Sequence, residues 1–235
     1  MRLLLISNST NASEEYLHYP IQSIGRFLGD VGKVLFLPYA AVTFSYDEYL
    51  CKVQKRFDDI NVTVRSAHEF SHPAAAVEKA HAIVVGGGNT FALLKKMQDH
   101  GLMDPIRKRV REGKVPYIGW SAGSNVACPT IRTTNDMPIV EPGSFEALGL
   151  VPFQINPHFT DAKLEGHAGE TREQRIEEFL EANHRTWVAG LRESCMLTLE
   201  GHELMLSGPH PMRVFRHGQK PKEVTASESL SFLME

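Results

Sequence analysis

The chain has only three cysteines, Cys51, Cys128 and Cys195, an odd number at scattered spacings. That excludes a disulfide framework, and no Cys-x-x-Cys clip is present to hold a structural metal. A long apolar run is also missing, since no stretch approaches the roughly 18 residues of a membrane span. Leu3–Ile6 after Met1-Arg2 is too short for the apolar region of a signal peptide, and no cleavage site follows it. Basic residues are not in excess: Lys plus Arg is 25 and Asp plus Glu is 28, giving a net charge of −3. This balance argues against a nucleic-acid or membrane-surface partner, which would require a basic stripe. Internal repeats, low-complexity tracts and linkers are absent too, so residues 1–235 are expected to form one domain. What is present is an ordinary globular composition, 42% hydrophobic and 23% charged. A chain of this length buries roughly 70–75% of its unfolded surface, which makes a core without disulfide or metal. The expectation is a cytoplasmic protein, and a monomer and a homodimer are both compatible with it.

The first half alternates two kinds of segment. Arg2–Ser7, Lys33–Pro38, Asn61–Ser66, Ala82–Gly86 and Pro116–Gly119 are short runs rich in Leu, Ile and Val. Between them lie stretches of helical length, Ile21–Leu28, Tyr46–Asp58, Pro73–Ala80, Thr90–His100 and Pro105–Glu112. Such alternation predicts an α/β fold with a mostly parallel sheet and helices on both faces. In these sheets ligands bind at the carboxyl ends of the strands. From Pro129 to Gly169 the chain is rich in Pro, Asn and Thr and reads as long functional loops. A capping box, Thr171-Arg172-Glu173-Gln174, then opens a helix whose buried face is Ile176, Phe179 and Leu180. Trp187–Leu191, Cys195–Glu200, Glu203–Leu206 and Met212–Phe215 are predicted to be short strands joined by glycine turns.

Gly119-Trp120-Ser121-Ala122-Gly123 matches the G-x-S-x-G nucleophile elbow, a serine on a tight turn between strand and helix. Its context fits: Val115–Ile118 reads as a strand, and Ala122–Cys128 is helix-compatible until Pro129. An ordinary strand–helix turn with glycines for geometry is the alternative. One predicted strand earlier stands Gly86-Gly87-Gly88-Asn89-Thr90. This turn could cradle a phosphate, but it lacks the G-x-G-x-x-G and Walker patterns. It could instead aim the Gly88 amide, with that of Ala122, at an oxyanion. Of the 11 histidines, His158 in Asn156-Pro157-His158-Phe159 is the best base. It follows a predicted strand, Val151–Ile155, whereas His167 is a weaker competitor on a loop and His68, His72, His100, His184 and His217 lie in polar surface contexts. Two carboxylates qualify as the acid that orients the base, Asp136 in Thr133–Pro138 and Glu193 in Gly190–Glu193. Spacing does not choose between them.

Five blocks together resemble the peptidase E family: Gly86–Thr90, Gly119–Gly123, Thr130–Val140, Gln154–Thr160 and Gly166–Arg175. These are serine peptidases, aspartyl dipeptidases with a flavodoxin-like fold related to class I glutamine amidotransferases. The resemblance runs from Leu3 to about Phe215. It implies hydrolysis of dipeptides with an N-terminal aspartate (Asp-Xaa), without metal or cofactor. By motif, Ser121 matches the family nucleophile and His158 its base. Asp136 and Glu193 both match descriptions of the third member, with Glu193 ranked first and Asp136 organising the pocket. The resemblance also places Arg172 at the pocket, where its guanidinium would pair with the substrate's side-chain carboxylate. Arg132 and Arg175 are the alternatives to it, and Asn89 and Thr90 are further substrate-binding candidates.

Rival readings remain. A cyanophycinase-like peptidase would use the same scaffold. A glutaminase would need cysteine where Ser121 stands, and Cys128 is expected to be a buried filler. A non-catalytic flavodoxin-like module would use Gly86–Thr90 for phosphate. A metal hydrolase is not expected, because no His-x-x-x-His pair or Glu/His cluster at ligand spacing stands out.

Overall fold

The computed structural model describes residues 1–162 and 168–235. Two sheets organise it. The larger has seven strands in the order β3-β2-β4-β5-β1-β8-β9. These are β1 (Arg2–Ile6), β2 (Lys33–Leu37), β3 (Thr63–Ser66), β4 (Ile83–Val85), β5 (Tyr117–Trp120), β8 (Met196–Glu200) and β9 (Glu203–Ser207). The five N-terminal strands pair in parallel, and β8 and β9 add antiparallel at the β1 edge. The smaller sheet runs β11-β10-β7-β6, from β6 (Gln154–Phe159), β7 (Val188–Arg192), β10 (Met212–Phe215) and β11 (Lys222–Val224).

Strand alternation divides the core. Leu3 and Leu5 of β1 face α3 (Pro73–Glu78), α4 (Thr90–Asp99) and α5 (Met103–Arg111), packing with Val77, Leu93, Met97, Ile106 and Val110. Leu4 and Ile6, one residue out of phase, face α1 (Ile21–Leu28) and α2 (Tyr46–Phe57), packing with Ile24, Phe27, Val53 and Phe57. Successive side chains on a strand point to opposite faces, so continuous apolar strands such as Leu3–Ile6 require helices on both sides. The first cluster continues through Phe153, Ile155, Leu191 and Val214 into the smaller sheet. The helix opened by Thr171, α7 (Arg172–Ala182), lays Ile176 and Leu180 on that sheet beside Phe159, Val188 and Phe215, with Phe179 partly buried against them.

Two expectations are corrected. The strand predicted at Val151–Ile155 begins at Gln154 and continues through His158 to Phe159. Leu150 and Val151 give their amides to the Ala127 carbonyl, and Pro152 has none to give, so the ladder opens only with Gln154 N–H to Trp187 O at 2.9 Å. The elbow helix, α6 (Ala122–Asn125), is shorter than Ala122–Cys128. Ala127 and Cys128 donate three residues back, to Ser124 and Asn125, so the segment tightens into 3₁₀-type turns. No helix among the described residues is long and apolar enough to cross a membrane.

Candidate active site

Three neighbouring parallel strands, β4, β5 and β1, deliver their carboxyl ends to one place. After β5 comes Ser121, with φ 52° and ψ −112°, a region that costs a non-glycine residue about 1–3 kcal/mol. The surroundings hold it there: Ser121 N–H donates to Ile6 O at 3.0 Å, and its carbonyl accepts from Ser124 and Asn125. Gly123 has no room for a side chain, since a Cβ would lie 2.2 Å from Val85 O on β4. After β4 comes the Gly86–Thr90 turn, pressed against the elbow, where a Cβ on Gly87 would be 3.1 Å from Ser121 Cβ. Gly88 has φ +137°, and a Cβ there would lie 2.2 Å from Ala40 O. Among the described residues, neither Gly88 N–H nor Ala122 N–H, the first of α6, donates to a protein acceptor. Replacing Gly88 with Ala forces this turn away from Ala40. Its Tm is expected to fall by about 5–10 °C in a thermal melt.

His158 belongs to β6, at its bulge, rather than following a strand. Pro157 pairs with Leu191 and Phe159 with Arg192, so His158 is the extra residue, with φ 53°. Bulges re-aim side chains in this way, and Pro157 is tolerated because β6 is an edge strand. The ring meets Ser121 Oγ through Nε2 at 3.0 Å and Glu193 Oε1 through Nδ1 at 2.7 Å. With Glu193 ionised, its oxygen only accepts, so Nδ1 carries the proton and Nε2 offers its lone pair to the serine hydroxyl. Glu193 lies in the turn between β7 of the small sheet and β8 of the large one, followed by Ser194 with φ 64°. The His158 and Glu193 side chains are 38% and 55% exposed, so solvent has access to this hydrogen bond.

Asp136 stands elsewhere. Its Oδ2 accepts from Thr90 N–H at 2.7 Å, Thr90 Oγ1 at 2.5 Å and Thr134 Oγ1 at 3.1 Å. Its charge therefore occupies the amino end of α4, the position a phosphate would need in the cradle reading. Asn89 caps the same helix, accepting from Ala92 N–H at 3.0 Å while donating to Met137 O at 2.9 Å. Thr90 is fully buried. Asn89 and Thr90 thus spend their polar groups inside the protein, shaping the glycine turn beside Ser121.

A cleft of about 150 Å³ opens between the Arg132–Asp136 loop, Asn156 and the start of α7. Arg172, at the first position of α7 behind the Thr171–Gln174 capping box, enters it and bonds Asn135 Oδ1. Asn135 in turn donates to Pro157 O at 2.7 Å, next to His158. Among the described residues Arg172 has no ion-pair partner. Burial, then repulsion from Arg175, lowers its pKa below an ordinary arginine's, while Asp136 opposes the shift. Arg175 is more exposed and pairs with Glu170 at 3.6 Å. Arg132 is exposed, with its guanidinium 5.7 Å over the Phe145 ring. His167 lies outside the described residues. Cys128 is buried, and burial pushes its thiol up to about 12, so it is not a thiolate nucleophile.

Sequence reasoning missed Ser7 and Asn8, at the end of β1. Ser7 Oγ accepts from His158 N–H at 2.9 Å and donates to Leu191 O at 2.8 Å, which fixes the bulge. Asn8 Oδ1 accepts from Ser194 N–H at 2.8 Å, which fixes the turn that carries Glu193. Both side chains are buried. Their position, two polar residues directly after an apolar strand, was the available clue.

The profile of Peptidase family S51 matches residues 3–207. The chain belongs to this family. It is a serine-type peptidase, a hydrolase acting on peptides. Peptidase E of Nostoc sp. strain PCC 7120 is 51% identical over 235 residues, covering 100% of this chain and 97% of that protein. Peptidase E of Salmonella typhimurium strain LT2 is 48% identical over 220 residues, covering 94% and 96%. Among solved structures, a peptidase from an acI-B1 Actinobacterium superposes with a TM-score of 0.74 at 18% identity, covering 98% of this chain and 96% of that one. A putative Peptidase E protein from Listeria monocytogenes EGD-e gives a TM-score of 0.66 at 21% identity, covering 88% and 98%. At these identities the superpositions speak for the fold alone, and that fold is the mostly parallel α/β architecture read from the strand–helix alternation.

Proposed function

We propose that this peptidase removes an N-terminal aspartate from dipeptides, through an acyl-enzyme on Ser121. The hydrogen-bonded chain Ser121 Oγ, His158 Nε2, His158 Nδ1 and Glu193 Oε1 carries the reading. Ser121 Oγ attacks the peptide carbonyl while His158 Nε2 takes its proton. The oxyanion meets the amides of Gly88 and Ala122, which have no protein acceptor among the described residues. His158 then gives the proton to the departing amine. A water that loses its proton to the same nitrogen hydrolyses the ester, releasing aspartate and restoring Ser121. Glu193 holds the ring in the needed tautomer and stabilises the imidazolium formed twice in each cycle.

The preference for aspartate rests on Arg172, a half-buried cation whose partner is a neutral amide. A carboxylate entering the small cleft would replace water around that charge and form a bidentate pair. Asparagine in the same place leaves the guanidinium unpaired, which is the situation that gives strong discrimination. The high identity to Peptidase E proteins over nearly the whole chain supports a peptide substrate of this kind. The test is release of the free first residue from Asp-Leu, Asn-Leu and Leu-Leu. Asp-Leu is expected to exceed both others in kcat/KM by about 10²–10⁴-fold. Arg172→Met is expected to remove most of that gap. Equal cleavage of all three would keep the serine chemistry and discard the carboxylate pocket.

A further inference from the structure

We infer that Glu181, His184 and His217 form a binding site for a zinc-like divalent cation at the opposite end of α7 from Arg172. One ligand atom from each of the three lies within 4.8 Å of the others. Glu181 is in the last turn of α7, His184 follows it, and His217 stands in the turn between β10 and β11. The sequence expectation of no Glu/His cluster is corrected here. Glu181-x-x-His184 is an i, i+3 pair, and the fold supplies the third member from far along the chain.

The chemistry of the three side chains is that of a ligand set. His184 Nε2 lies 2.9 Å from the Glu181 carbonyl oxygen. A carbonyl only accepts, so Nε2 carries the hydrogen and Nδ1 keeps its lone pair. A backbone carbonyl that fixes the tautomer of an imidazole is the usual support behind a ligating histidine. The rings of His184 and His217 stack at 3.8 Å, only 11° from parallel. Glu181 Oε2 is 3.5 Å from His217 Nε2, which brings a negative charge to the same point.

Two imidazole nitrogens and one carboxylate oxygen suit zinc, nickel or copper, whereas calcium and magnesium prefer all-oxygen shells. Glu177, one turn back on α7, lines a cleft of about 210 Å³ together with Glu181 and His217. Two cations adjoin the ligands in sequence, Arg185 and Arg216, and Arg216 holds its guanidinium 4.9 Å over the Trp187 ring. The helix is 11 residues long, about 16 Å, so an ion here would not share the chemistry at Ser121. It would instead tie the carboxyl end of α7 to the β10–β11 turn.

The experiment is titration of zinc chloride into the intact protein, followed by calorimetry and thermal melting. One zinc per chain is expected, with Tm raised by about 5–10 °C at a hundredfold excess over Kd and restored by a chelator. X-ray absorption of the loaded protein should show two imidazole nitrogens at about 2.0–2.1 Å. His184→Ala and His217→Ala should each lose the binding and the Tm shift while hydrolysing dipeptides at the wild-type rate. The inference is overturned if the wild-type chain takes up no zinc. It is equally overturned if both variants bind as the wild type does, which would put the ion on other histidines.

Discussion

Ser121→Ala is expected to fold as the wild type does and to lose about 10⁴–10⁶-fold in kcat. The methyl group keeps the volume at the elbow. The backbone bonds that hold its φ of 52°, Ser121 N–H to Ile6 O and the two amides onto its own carbonyl, do not involve the hydroxyl. What disappears is the only atom that forms a bond to the substrate, together with the hydrogen bond to His158 Nε2. Residual rate would come from the oxyanion donors and from substrate placement. Steady-state kinetics on Asp-Leu, with a melting curve of the same sample, measures both halves of the expectation. Near-normal turnover by a well-folded Ser121→Ala protein would remove the serine from the mechanism.

Glu193→Gln and Asp136→Asn are expected to separate the two carboxylates between which spacing does not choose. A glutamine at position 193 can turn its amide nitrogen to Nδ1, which then must accept, moving the ring hydrogen to Nε2. His158 in that tautomer has no lone pair for Ser121. The expected loss in kcat is about 10²–10⁴-fold with KM little changed, smaller than in fully enclosed triads because Glu193 is 55% exposed. Asp136→Asn acts differently. It removes a negative charge from the amino end of α4 and weakens three hydrogen bonds that brace the Gly86–Thr90 turn. That effect belongs to stability and to the shape of the site. Tm should fall by about 2–6 °C and kcat by no more than about tenfold. The reverse pattern, with kcat collapsing in Asp136→Asn and surviving in Glu193→Gln, would exchange the two roles.

Much of this was legible without coordinates because it is local. Leu3–Ile6, Val34–Leu37 and Ile83–Val85 are apolar on successive residues, and only a sheet covered on both faces buries both sets of side chains. Ser45 with Glu48 and Thr171 with Gln174 close their capping boxes within one turn, so helix starts follow from residue type. Ser121 was legible for the same reason: a serine with glycine two residues to either side, after a strand and before a helix, fits the elbow pattern. The start of β6 was not legible, because it is set by where Val151 sends its amide, and the acceptor lies on Ala127.

The sequence by itself determined the α/β class, the helices, the elbow and the set of candidate groups. Each of these depends on contacts within a few residues, where spacing and side-chain chemistry decide the outcome. Only the tertiary structure decided which carboxylate meets His158. Glu193 reaches the ring because β7 and β8 belong to different sheets and the turn between them crosses above β1, where Ser7 and Asn8 fasten both partners. Asp136 was drawn away by the amino end of α4, an attraction that exists only once the helix and the Thr133–Pro138 loop are packed together. Pairings across such separations carry no periodic trace in the chain, because they depend on which surfaces pack and not on how the residues are spaced.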